Sequence, residues 1–345
     1  MSFFTRFFGR KDLRQESHST PESGQSINAG THADVQELIR LQQVSKKLNV
    51  NHGSFAKAAT SGSHHSKFRG RGMDYQESRI YQAGDDIRNM DWRVTARTGK
   101  PHTKLFQEER ERPVILFVDL SPSMFFGSVN SLKSVVATKV ATIIAWSVSA
   151  KGDRIGGLII NETHKELSPK MGKHGVLQLI KELVIHSDPI KGLQAKVNPN
   201  SLNEELHRLR RLAKPGSLVF LISDFYGIDS ETERYLQRLS QHIDLQAIQI
   251  IDPLEETPPH SGRYHITDGG DDKKSGVLNT QSKKGKETYE AFCLQHQNTL
   301  QEIMLRYNIP LIKISTSDDL LLVLKQNFSQ RKPRANVSTR NKAVA

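Results

Sequence analysis

Cysteine is almost missing from this sequence: Cys293 is the one thiol in 345 residues. That excludes an internal disulfide and any cysteine-rich zinc site, and it suits a reducing compartment. Long apolar runs are missing too. The nearest to one, residues 135–148, is interrupted by Lys139 and by small polar residues, so it reads as a core helix and not as a bilayer span. No Walker loop, no Gly-x-Ser-x-Gly elbow and no nucleic-acid-binding fingerprint occurs, and Gly70-x-Gly72 is too short for a dinucleotide motif.

What is present is an ordinary soluble composition, 36% hydrophobic and 25% charged, long enough for one large domain or two moderate ones. The net charge of +12 raises nucleic acid or an anionic membrane as a partner. Part of it lies in residues 329–345, where Arg331, Lys332, Arg334, Arg340 and Lys342 face no acid, and a solvated, disordered tail is expected there. Residues 1–31 are rich in small polar side chains, and disorder is expected there as well. Within them, residues 2–11 mix phenylalanine with base and could lie on a membrane interface, while lacking the apolar stretch of a secretory signal. A cytoplasmic protein with peripheral contact at the inner membrane is the resulting expectation.

Residues 32–112 read as an N-terminal elaboration. In residues 33–49, Val35, Leu38, Leu41, Val44 and Leu48 recur at helical spacing. A polar loop follows, with His64 and His65 read as solvated, and then short extended pieces alternate with glycine-containing turns in a β-rich region. Residues 84–98 pack acids and arginines around one tryptophan: Asp85, Asp86, Arg88, Asp91, Trp92, Arg93 and Arg97. Arginine forks pair well with carboxylates, so an ion-pair network is expected. An anion site on Arg88, Arg93 and Arg97, or a partner-facing surface formed by all seven residues, are the other readings.

From residue 113 to 328 apolar strands alternate with helices, which predicts an α/β fold with a mostly parallel sheet covered on both faces. Its first strand, residues 114–118, ends in Asp119-Leu120-Ser121-Pro122-Ser123. A later one, residues 217–222, ends in Ser223-Asp224. Polar side chains at the carboxyl ends of buried strands stand where open α/β sheets bind ligands. One carboxylate and two hydroxyls are hard oxygen donors suited to Mg²⁺. The competing reading is that Asp119 and Asp224 only cap the structure that follows. Residues 252–282 read as irregular.

Asp119, Ser121, Ser123 and Asp224 in this order resemble the metal-ion-dependent adhesion site of von Willebrand factor A domains. Several longer stretches are similar to a bacterial family, the "domain of unknown function 58": residues 70–74, 79–88, 91–93, 96–98, 108–112 and 119–127, and Asp252-Pro253-Leu254-Glu255. The resemblance implies a von Willebrand A-like fold, a Mg²⁺ site, and work as an adaptor or co-chaperone beside a MoxR-type AAA+ ATPase that acts on client proteins. One departure goes with it. Where the adhesion-site pattern has a further threonine on a later loop, this sequence offers residues 170–175 as the corresponding loop, with His174, a poor Mg²⁺ ligand, near the threonine's place. Two other functions remain open: a hydrolase using Asp119, and salt-sensitive, nonspecific nucleic-acid binding through the basic surface and tail. A phosphoryl-accepting aspartate would need a second acid two residues on, and that position is Ser121.

Overall fold

The computed structural model describes residues 30–46, 48, 73–108, 113–194, 201–267 and 275–329. The expectations for residues 1–29, for His64 and His65 and for the basic tail fall outside these residues. The chain divides into two compact units, Lys57–Arg112 and the remainder.

The larger unit is built on a six-stranded sheet of β3 (Val114–Asp119), β4 (Arg154–Ile160), β5 (His164–Met171), β6 (Leu218–Ser223), β7 (Asp244–Ile251) and β10 (Leu311–Ser315). The spatial order is β10-β7-β6-β3-β4-β5. All neighbours run parallel except β5, which is antiparallel to β4. Counted within this unit the order is 3-2-1-4-5-6, a doubly wound sheet whose switch point lies between its first and fourth strands. Those strands are β3 and β6, the two that end in the acids singled out above.

Strand β3 is apolar without alternation because both its faces are covered. Val114, Leu116 and Val118 join one core cluster, and Ile115 and Phe117 join the other. On the first face lie α1 (Val35–Ser45), α3 (Lys133–Ala150), α4 (Gly172–His186) and α9 (Leu320–Ser329). On the second lie α6 (Ser201–Leu212), α7 (Ser230–His242) and α8 (Lys283–Arg306). Helix α3 is buried all round because α1 covers the side turned away from the sheet. Trp146 Nε1 donates to the Leu38 carbonyl at 3.1 Å and Ser147 Oγ to that of Leu48 at 2.8 Å. The run at 135–148 is therefore a core helix, and no described helix is long and apolar enough to cross a membrane.

Three expectations need correction. Helix α1 belongs to the sheet unit and not to the elaboration, since its apolar stripe docks on α3 and α4. Residues 252–282 are not irregular throughout, because β8 (Arg263–Thr267) pairs antiparallel with β9 (Ser275–Asn279). These strands are short and polar, without the alternation that marks a half-buried strand. Lys170 and Met171 end an edge strand, β5, whose charges and Pro169 suit a strand with one side unpaired.

The smaller unit is a hairpin of β1 (Met73–Ile80) and β2 (His102–Glu108), with a 3-10 turn at Ile87–Asn89 and the short helix α2 (Trp92–Thr98) between its strands. Asp91 caps α2 at its start, with Val94 N–H donating to Oδ1 at 3.1 Å. Gly99, in left-handed backbone at φ 71°, ends it.

Candidate functional site

Register sets the site. Val118 pairs with Ile222, so Asp119 and Ser223 emerge side by side at the carboxyl edge. Asp119 is 8% exposed. Its Oδ2 accepts the Ser223 hydroxyl at 2.6 Å and its Oδ1 accepts the Ser121 N–H at 2.9 Å. Ser121 Oγ lies 3.2 Å from Ser123 Oγ, and the Ser123 hydroxyl in turn acts on Asp224. After Asp224 the chain reverses through Phe225, which holds left-handed backbone at φ 59° and donates its N–H to Ser223 Oγ at 2.9 Å. That conformation is uncommon for a bulky residue. Here it turns the Tyr226 N–H onto Asp224 Oδ1 at 3.2 Å.

Behind this group lies a buried ammonium. Lys133, in the first turn of α3 and 1% exposed, donates to Asp224 Oδ2 at 2.9 Å and to Glu255 Oε1 at 2.6 Å. The other Glu255 oxygen accepts the Asp252 N–H at 3.0 Å. Nζ also lies 5.4 Å from the centroid of the Tyr226 ring, against which His296 stacks at 4.2 Å.

The charges do not balance. Four buried carboxylates, Asp119, Asp224, Asp252 and Glu255, stand with one ammonium, which pairs with Asp224 and Glu255, and among the described residues no cationic side chain pairs with Asp119. Burial, then the charge of Asp224, holds Asp119 above the usual carboxylate range, despite its hydrogen bonds to Ser223 and Ser121. Burial pushes the Asp224 carboxyl up as well, but the Lys133 ammonium and the hydrogen bonds overcome it and hold that group low. Glu255 stays raised, burial outweighing Lys133. Lys133 itself is held above its ordinary value, because the two carboxylates outweigh its burial.

The site is tied down by Asp252, 0% exposed at the end of β7. Its Oδ2 accepts the Ser128 N–H and the Thr316 hydroxyl, each at 2.8 Å. Its Oδ1 accepts the Ser128 hydroxyl and, at 3.0 Å, the Leu254 N–H. One carboxylate thus joins the loop before α3 to the ends of β7 and β10. Asp252→Ala should destabilise the fold by about 2–3 kcal/mol, because charged hydrogen bonds are lost and buried donors left unmatched. Urea unfolding measures this, and an unchanged midpoint would show that the loop does not depend on Asp252.

Asp119, Ser121, Ser123 and Asp224 therefore lie together at the carboxyl edge of the sheet. His174 does not join them. Met171 pairs with Arg154 at the amino end of β4, whereas Asp119 pairs with Ile160 at its carboxyl end. His174, in the first turn of α4, thus belongs to the opposite edge of the sheet. The expected ion-pair network at 84–98 is also corrected. Asp85 pairs with Arg79 at 2.7 Å, Asp86 caps the 3-10 turn and Asp91 caps α2 while accepting the Ser78 hydroxyl at 2.7 Å. Arg88, Arg93 and Arg97 remain exposed, with no carboxylate partner among the described residues.

Sequence reasoning missed Lys133, and it named Ser223 and Glu255 only within matching stretches, without a role in the site. A lysine opening a helix that is apolar on every side must be paired, and that signal could have found Lys133. Asp252-Pro253-Leu254-Glu255 is a capping box, and both of its reciprocal bonds form.

With its 3-2-1-4-5-6 order, antiparallel edge strand and Asp-x-Ser-x-Ser loop at the switch point, the larger unit is a von Willebrand A-like α/β domain. The chain belongs to the family described as "Protein of unknown function DUF58", whose profile matches residues 77–299. A Mycobacterium tuberculosis protein described as "Uncharacterized protein Rv1480" is 28% identical over 277 residues, 79% of this chain and 83% of that protein. A Mycobacterium bovis counterpart, "Uncharacterized protein Mb1516", matches to the same extent. Similar solved structures include the conserved hypothetical protein BatB from Bacteroides thetaiotaomicron, 14% identical, with a TM-score of 0.41 over 63% of this chain and 97% of that one. Another is a von Willebrand factor type A protein from Catenulispora acidiphila, 15% identical, with a TM-score of 0.27 over 43% and 34%.

Proposed function

We propose that this chain is a protein-interaction module whose carboxyl-edge site takes Mg²⁺ and offers it to an acidic side chain of a partner. The observation that carries this reading is the unbalanced charge: a buried Asp119 with no cationic partner among the described residues, beside two hydroxyls 3.2 Å apart. Adjacent oxygens around Mg²⁺ lie about 2.9 Å apart when the bonds are 2.0–2.1 Å long, so the donor set fits the ion with little movement. Asp119, Ser121 and Ser123 would hold it. Asp224, already engaged by Lys133, would act from nearby. The bound ion supplies a positive centre with room for a partner carboxylate.

The partner implied by the sequence resemblance is a MoxR-type AAA+ ATPase acting on client proteins. Hydrolysis by Asp119 is less well supported. A phosphoryl-accepting aspartate needs a second acid two residues on, and position 121 is a serine. Tagged protein should capture such an ATPase from native lysate in Mg²⁺, and lose it in chelator or as Asp119→Ala. Capture that ignores both changes would place the interface elsewhere.

A further inference from the structure

The hairpin unit carries a surface that the edge site does not explain. Helix α2 is a fixed platform, since Asp91 caps its start and Thr95 Oγ1 accepts the His102 N–H of β2 at 2.9 Å. Val94 and Thr95 are half-buried, while Trp92, Arg93, Ala96 and Arg97 form one exposed stripe. Trp92 is 67% exposed, and Ile87 on the preceding turn is 62% exposed.

The charges of this unit are sorted by use. Asp85 and Asp91 are engaged inward and Asp86 caps a turn, whereas Arg88, Arg93 and Arg97 have no carboxylate partner among the described residues. Exposed tryptophan beside unpaired arginine is the composition of an interface centre and is unusual for a solvated face.

We infer that the exposed stripe of α2, with Ile87 and Arg88, docks an acidic protein segment that carries apolar side chains. The arginines require carboxylates, and Trp92 and Ile87 require apolar surface. A protein segment alternating acid with apolar residues meets both conditions. Asp85, Asp86 and Asp91 position this surface and do not face the partner.

The chain carries its own reporter. Of its two tryptophans, Trp146 is 3% exposed and hydrogen-bonded, so a change in emission on binding belongs to Trp92. The full chain is titrated with a tryptophan-free amphipathic peptide of glutamate, leucine and phenylalanine. Parallel arms use oligothymidylate of equal charge and phosphatidylglycerol vesicles. The peptide should shift Trp92 emission to the blue and shield it from acrylamide. Arg93→Glu with Arg97→Glu should weaken binding at least tenfold at an unchanged melting temperature, and Trp92→Phe should abolish the emission change. Asp119→Ala should bind as the parent does, which separates this surface from the edge site. Equal binding by the arginine variants, or tighter binding of oligothymidylate or vesicles than of peptide, overturns the proposal.

Discussion

Lys133→Met is expected to lose about 3–5 kcal/mol of folding stability at neutral pH, the usual cost of leaving a buried ionic partner without its counter-charge. The side chain is matched in length and apolar, so packing against Tyr226 survives and the loss isolates the ammonium. Asp224 and Glu255 would then face each other through a buried gap with no cation on either. In the parent, Asp224 is held low, so its contribution is present above the ordinary carboxylate range and fades as pH falls through its depressed value. Removing Lys133 reverses that sign. Both carboxyls then bind protons more tightly folded than unfolded, and the variant should gain stability as pH falls toward 5. Denaturant unfolding across this range reads both slopes. Adding Glu255→Gln should return part of the loss, because one of the two stranded charges is removed. A variant as stable as the parent at pH 7 would show that the three groups do not act as one cluster.

The same cluster shows where sequence reading succeeds and where it stops. The strand at 114–118 was legible because a β-branched apolar run ending in acid has few other uses, and the copy at 217–224 fixed the second arm of the site. Asp119, Ser121 and Ser123 were legible because they are close in sequence. Lys133 reaches Glu255, and Ser128 reaches Asp252, across more than a hundred residues, and only register and helix packing bring them together. His174 was misplaced for the same reason: polar residues at 170–175 look like a loop, and nothing local says that β5 runs backwards and delivers them to the far edge. In the hairpin the composition promised ion pairs, but short carboxylates between turns prefer nearby backbone N–H groups. Those local bonds took the acids and left the arginines outside.

Asp119→Asn separates a cation site from a helix cap by the sign of its effect. Burial and Asp224 raise the Asp119 carboxyl, so the folded chain binds a proton there more tightly than the unfolded one. Stability therefore falls as pH rises from the ordinary carboxylate value through the raised one, and above that range the ionised group is a net cost. Asparagine keeps the shape and can still accept the Ser121 N–H, while the Ser223 hydroxyl turns to accept from the new amide. In chelator the variant should exceed the parent's melting temperature. With Mg²⁺ at a hundred times its dissociation constant the parent should gain about 2.7 kcal/mol, and the variant almost none. The order of the two proteins thus inverts between chelator and Mg²⁺. A cap alone predicts a variant no more stable than the parent in either buffer and no response to the ion. Thermal unfolding of both proteins in the two buffers decides between these outcomes, without any partner in the tube.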